Sequence, residues 1–291
     1  MRARIFAALF AVVLPFVAAC DSEEMDRSEI TVLRIGVLPD QSAGALRERY
    51  TPLFEHLARE LEIPYKFVAS ETYAEFLEQF VAGRIDLAYF GGLTFLKVHA
   101  AADAVPLVMR DVHAKFTSYF LVRADSVATE IADFEGKTVS FGSRLSTSGH
   151  LMPRSFFLER GIKPEDFFGE VRYSGAHDAT AYDVRDRHAD LGAANAHIIR
   201  SMFADGRLDR NDVRVLWETP PYPDYVWAVR RAIGTDVQRG VRDAFLELSS
   251  INEDYARILE PMGAGAFLPA SVEDFLPLRN VAESIGLLGK R

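Results

Sequence analysis

Residues 138–149 read TVSFGSRLSTSG. Thr138-Val139-Ser140-Phe141 is a β-rich run, and Gly142 breaks it. Ser146, Thr147 and Ser148 then lead into an apolar-periodic stretch that runs from residue 148 to residue 160. A strand, a glycine turn, a run of hydroxyls and a helix in that order make a strand–helix junction. Outward from it, the same unit recurs. In the first half, strand-like segments at 32–38, 65–68 and 85–90 alternate with helix-like ones at 43–61, 72–82 and 94–102. In the second half, strands near 120–122, 138–141, 170–173, 190–194 and 213–216 alternate with helices at 148–160, 176–187 and 197–204, and the chain after Gly240 is helical. Such alternation predicts an α/β fold with mainly parallel sheets and helices on both faces. Two cycles predict two lobes.

The first twenty residues stand apart. Arg2 and Arg4 precede an apolar run over residues 5–19, interrupted by Pro15, and Val17-Ala18-Ala19-Cys20 follows. A basic start and a short apolar run describe a secretory signal, too short to span a membrane comfortably. Small residues before a cysteine resemble the bacterial lipobox, so residues 1–19 are expected to be a lipoprotein signal peptide and Cys20 the lipidation site. Asp21 fits retention at the inner membrane, and residues 20–30 fit an acylated tether. Cys20 is the only cysteine of the chain, so no internal disulfide is possible.

With 33 basic and 42 acidic residues the net charge is -9. A field of that sign does not attract nucleic acid, and an anion site in such a chain has to be made locally. In open α/β sheets ligands collect beyond the carboxyl ends of strands, which directs attention to the junctions. At 142–149 the first helical N–H groups carry partial positive charge, three hydroxyls add donors, and Gly149 lets the backbone come close: an oxyanion cradle. N-capping by one serine is the simpler reading of the same residues. A second junction, Tyr89-Phe90-Gly91-Gly92-Leu93-Thr94, leads a glycine pair into a helix with a hydroxyl in its first turn, and offers Tyr89, Gly92 and Thr94. A third, Ser174-Gly175-Ala176-His177-Asp178, offers His177 as a donor, neutral or charged.

Other chemistries find no footing. His99, His113, His150, His188 and His197 lack metal-ligand spacing, so no metal or cofactor is expected. Gly136-Lys137-Thr138 resembles the end of a phosphate-binding loop, but Ile131 stands where its first glycine belongs and a strand follows. There is no G-x-S-x-G elbow, and no activated nucleophile marks an enzyme.

Four segments, IDLAYFGGLTF at 85–95, GKTVSF at 136–141, STSGHLMP at 146–153 and SGAHD at 174–178, resemble the phosphate/phosphite/phosphonate-binding proteins of ABC importers, the PhnD-type group. The resemblance runs from about Leu33 to about Val281. It implies a two-lobed periplasmic binding protein fold, type II-like, with two crossing hinge strands near 117–121 and 225–230. Lobe one would hold residues 31–118 and 229–291, and lobe two residues 119–228. By position it implies that Ser146, Thr147 and Ser148 hold a tetrahedral anion, that His177 binds it, and that Tyr73 reaches it from lobe one. Thr117 stands near the place of a second family tyrosine.

Of the two carboxylates that grip the amine in aminoalkylphosphonate binders, Asp224 is retained, and Asn195-Ala196-His197 replaces the other. A compact oxyanion such as phosphate, phosphite, selenate or an arsenic oxyanion fits that change better, and 90–95 resembles a subgroup labelled selenate-binding. The expected protein is a monomeric, lipid-anchored periplasmic anion binder. It would serve ABC permease and ATPase subunits or, alternatively, signal to a membrane histidine kinase.

Overall fold

The computed structural model describes residues 30–289. The expected signal peptide, the lipidation site Cys20 and nearly all of the tether lie outside the described residues. Lobe one begins with β1 (Leu33–Val37), α1 (Ala43–Leu61), β2 (Tyr65–Val68), α2 (Tyr73–Val81), β3 (Leu87–Phe90), α3 (Gly92–Ala102) and β4 (Val105–Arg110). Lobe two follows with β5 (Ser118–Arg123), β6 (Thr138–Phe141), α4 (Met152–Leu158), α5 (Pro164–Phe167), β7 (Glu170–Tyr173), α6 (His177–Arg185), β8 (Leu191–Asn195), α7 (Ala196–Ala204) and β9 (Val213–Glu218). The chain then returns through β10 (Val226–Val229), α8 (Thr235–Leu246), α9 (Glu253–Leu259), β11 (Phe267–Pro269) and α10 (Leu276–Ser284).

The six-stranded sheet has the order β11-β4-β10-β3-β1-β2, and the five-stranded sheet β7-β6-β8-β5-β9. Both are mixed rather than mainly parallel. β10 runs antiparallel between β3 and β4, and β5 antiparallel between β8 and β9. The cause is the double crossing: a strand that enters a sheet from the other lobe has no crossover helix to turn it parallel. The return also comes earlier than residue 229, since Val226 already pairs with Phe90. Between the lobes Phe116 and Tyr222 form an isolated antiparallel bridge, N–H to O at 2.8 and 2.9 Å, so the two crossings are tied to each other.

The lobe-one core is aromatic where α1, β3, β10 and α8 meet. Trp227 is fully buried against Tyr89 and Phe245, with Tyr50 and Phe54 edge-on to it. Such ring pairs add about 0.5–1.5 kcal/mol each beyond the buried area. In lobe two, separate apolar clusters cover the two faces of the sheet, one around Phe120, Phe141 and Phe157, the other around Val184, Ile199 and Met202. Rigid lobes on a narrow double crossing leave the space between them as the natural place for a ligand.

Candidate functional site

The junction after β6 becomes a π-helical turn, Thr147–Leu151, before α4 begins. Ser146 caps it, its Oγ accepting from Gly149 N at 2.9 Å. Thr147 reaches across to lobe one, where its Oγ1 accepts from Leu93 N at 2.9 Å. Ser148 is buried, and its Oγ has no hydrogen-bond partner among the described residues. A Cβ on Gly149 would lie 2.9 Å from His177 Cε1 and 3.0 Å from Ser146 Oγ, so only glycine fits there.

His177 opens α6 and is fully buried. Its Nδ1 accepts from Asn195 N at 3.2 Å. That bond assigns the ring proton to Nε2, a donor with no partner among the described residues. Burial lowers its pKa from 6.5 to about 3, so the ring is neutral at physiological pH. Of the two donor forms open in the sequence, the structure selects the imidazole.

Asp224 completes the group from the return crossing. Its Oδ1 accepts from Gly92 N at 2.7 Å and Tyr225 N at 2.9 Å, while the buried Oδ2 has no partner among the described residues. Burial raises its pKa from 3.8 to about 6. The hydroxyls of Thr147 and Ser148 lie near enough to favour its charged form, yet neither reaches it in hydrogen-bonding geometry. Tyr73, at the start of α2, lies within reach of Ser146, and burial raises its pKa well above the ordinary tyrosine value.

The remaining candidates are placed differently. The second junction is already satisfied: Gly92 N and Leu93 N are taken by Asp224 and Thr147, and Thr94 Oγ1 donates to Gly91 O at 2.8 Å. The Tyr89 hydroxyl lies behind the group, accepting from Arg110 at 2.7 Å, with its ring stacked on Tyr225. Thr117 turns away and donates to Glu218 at 2.5 Å. Its neighbour Ser118 points inward instead, because successive strand residues face opposite ways. Ser118 Oγ donates to Ser148 O at 2.7 Å and is 2.6 Å from the Tyr222 hydroxyl.

Sequence reasoning missed Ser118, Tyr222 and a bridge between the lobes. In that bridge Asn195 Nδ2 donates to the Tyr225 hydroxyl at 2.9 Å, and the hydroxyl donates to Asp40 Oδ2 at 2.8 Å. Asp40 O also accepts from His177 N at 3.1 Å. Asp40 lies just past β1, where the rule about strand ends would have found it. Two donors, Ser148 Oγ–H and His177 Nε2–H, and one carboxylate acceptor, Asp224 Oδ2, are thus buried without a partner among the described residues.

Residues 35–275 match the family model described as ABC transporter, phosphonate, periplasmic substrate-binding protein. The chain is 25% identical over 266 residues to the probable ABC transporter phosphite binding protein PhnD1 of Prochlorococcus marinus, covering 87% of this chain and 90% of that one. It is 24% identical to the phosphate-import protein PhnD of Mycolicibacterium smegmatis, covering 95% and 94%. The solved structure of P. marinus PhnD1 in complex with methylphosphonate superposes with a TM-score of 0.83 at 24% identity, over 89% of this chain and 99% of that one.

Proposed function

The chain belongs to the periplasmic substrate-binding proteins of phosphonate ABC transporters, and from that premise we propose that it captures a compact, proton-bearing phosphorus oxyanion between its lobes. The observation that supports this reading is the trio of buried, unpartnered polar atoms Ser148 Oγ, His177 Nε2 and Asp224 Oδ2, drawn from three separate segments. Each unmade hydrogen bond of this kind costs about 1–3 kcal/mol. A guest that completes all three recovers that energy, and the chain's net charge of -9 does not prevent it because the donors are local.

The chemistry of the trio narrows the guest. Two donors call for two acceptor oxygens, and a carboxylate acceptor calls for an O–H. Monoprotonated phosphate, phosphite and phosphonate offer both near neutral pH. Selenate and sulfate are fully deprotonated there and would set oxygen lone pairs against Asp224. Phosphorus oxyanions are therefore favoured over selenate within the range that the sequence left open. Neutral His177 serves as a donor without adding charge, and Tyr73 closes over the cradle from lobe one.

Delivery to a permease pair driven by an ATPase is the role in keeping with the family, with Cys20 as a lipid anchor that keeps the protein close to the inner membrane. The test is calorimetry on the full chain with phosphate, phosphite, methylphosphonate, sulfate and selenate. At least one phosphorus oxyanion binds and the fully deprotonated pair binds far more weakly. Binding of selenate or sulfate as tight as that of every phosphorus oxyanion would overturn the proton argument, and binding of none would overturn the site.

A further inference from the structure

The lobes meet at the seat and again away from it. His197, in the first turn of α7 in lobe two, lies on Gly263 of lobe one. Gly263 ends the short turn Glu260–Met262 with φ +61°. A Cβ there would overlap the His197 ring at Cε1 and come within 2.9 Å of Nε2 and 3.3 Å of Nδ1, so the imidazole rests directly on the glycine backbone. A left-handed φ and the absence of a side chain both select glycine at this contact. Among the described residues, the charges that act on the ring are cationic: Arg110 from β4, Arg49 from α1 and Arg200 from its own helix. His113, just past β4, lies near as well. Arg110 is buried and donates to Met262 O, to the Tyr89 hydroxyl at 2.7 Å and to His113 Nε2 at 2.7 Å, none of them a carboxylate. Asp40 is the carboxylate that feels Arg49 and Arg110, and it is held by the Tyr225 hydroxyl at 2.8 Å. Glu260 is exposed. Burial first, and then the three arginines, lower the pKa of His197 from 6.5 to about 3. The ring keeps part of its surface exposed, so protons have access to it.

We propose that His197 is a positioning residue for anion capture: a latch that lets the lobes close only while its imidazole is neutral, so that acidification opens the cleft and releases the guest. The proposal rests on the reading of the seat between the lobes. His197 acts through α7. Asn195 caps that helix, donates its N–H to His177 Nδ1 and its side-chain amide to Tyr225, so the element that carries the latch also holds the histidine of the seat. Swung away from Gly263, Arg49 and Arg110, the ring returns toward the roughly 6.5 of a free histidine. Between these two values the closed form binds one proton fewer than the open form, and closure weakens as pH falls through about 6.5. At pH 5 that amounts to a penalty of about thirtyfold. Asp40 and Asp224, whose pKa values burial raises, favour closure in acid and so pull the other way. Both are retained when residue 197 is replaced, so a comparison of the two chains isolates the imidazole.

The experiment is calorimetric titration of the full chain and of its His197→Gln form with methylphosphonate at pH 7.5 and pH 5. The ratio of wild-type to variant Kd rises about tenfold or more on going to pH 5. Small-angle scattering at a methylphosphonate concentration that saturates both chains at pH 7.5 shows the wild type expanding at pH 5 while the variant stays compact. The contact itself is tested sterically at pH 7.5. Gly263→Ala weakens methylphosphonate binding about tenfold or more, and His197→Ala in the same chain recovers about threefold or more of that loss by clearing the space. The strain of alanine at a left-handed φ is common to the single and the double variant, and thermal unfolding checks that each is folded. A Kd ratio constant within about twofold across the two pH values, equal expansion of both chains, or a Gly263→Ala loss that His197→Ala does not relieve would each overturn the latch and leave the seat standing. A wild-type chain that binds neither methylphosphonate, phosphite nor phosphate at pH 7.5 removes the seat and the latch together.

Discussion

The junctions at 89–94 and 142–149 look alike on paper and end in opposite conditions. Each passes from a buried strand through glycine into a helix with hydroxyls in its first turn. At 89–94 every feature is spent inside the protein: Gly92 N and Leu93 N are capped by Asp224 and Thr147, and Thr94 bonds its own turn. At 142–149 the supply of donors exceeds local demand, because Ser146 does the capping and leaves Ser148 Oγ unpaired among the described residues, next to the Gly149 that packs against His177. A hydroxyl-rich helix start is therefore ambiguous until the partners of each donor are known.

The contrast can be broken at the glycines first. Gly149→Ala forces a methyl to 2.9 Å from the His177 ring, whereas Gly91→Ala meets nothing closer than 3.4 Å. Gly149→Ala should lower affinity for a phosphorus oxyanion by about a hundredfold or more, in line with the cost of overpacking a rigid site, while Gly91→Ala stays within about threefold. Equal effects in calorimetry would erase the distinction between the junctions.

Asp224 links the two junctions, and Asp224→Asn tests that link. Its folded-state pKa of about 6 stands above the value of 3.8 for a free carboxyl. The folded chain therefore holds a proton between those values that the unfolded chain has released, and stability rises as pH falls through about 6. Above pH 6 the buried charge costs about 3 kcal/mol. The amide of the Asp224→Asn variant keeps an acceptor for Gly92 N and removes the charge, so thermal unfolding of the ligand-free variant at pH 8 should occur several degrees higher, with a smaller gain at pH 5. Its discrimination against selenate should fall about tenfold or more. A lowered melting temperature at pH 8 would show that Asp224 is stabilised by groups outside the seat.

Smaller effects belong to the single donors. His177→Gln should weaken binding about thirtyfold and leave the shape of its pH profile between pH 6 and 8 unchanged, because the ring it replaces is neutral throughout and the guest's own proton sets that profile. A profile that changes shape on the substitution would contradict the buried neutral ring. Ser148→Ala should lose about tenfold, and Thr94→Ala less than about twofold, with about 1 kcal/mol of stability lost instead, read by denaturant unfolding. Thr94→Ala weakening binding as much as Ser148→Ala would place both junctions in the seat.

Much of this was legible before coordinates. The strand–helix alternation marked most of the elements, because helix and strand periodicities differ, and the triplet at 146–148 was visible as more hydroxyl than one cap needs. What stayed hidden depends on partners distant in sequence. Nothing local says that Thr94 and Tyr89 are engaged elsewhere, or that Thr117 and Ser118 differ by which way a strand residue points. β4 and β11 lacked clear signals: β4 carries Pro106, and β11 has three residues, the last a proline. Asn195 read as the loss of a carboxylate, and only the fold shows it joined to Tyr225 and Asp40 across the lobes.

Ser118 sits where the chain bends between lobes, and its single hydroxyl touches both Tyr222 on the neighbouring crossing and the carbonyl of Ser148 in the cradle. The pivot and the floor of the seat are thus one piece of hardware. On the proposed reading, a guest held at Ser148 would pull directly on the axle and turn occupancy into an angle between the lobes, a quantity that a membrane partner would feel from outside without ever touching the cargo.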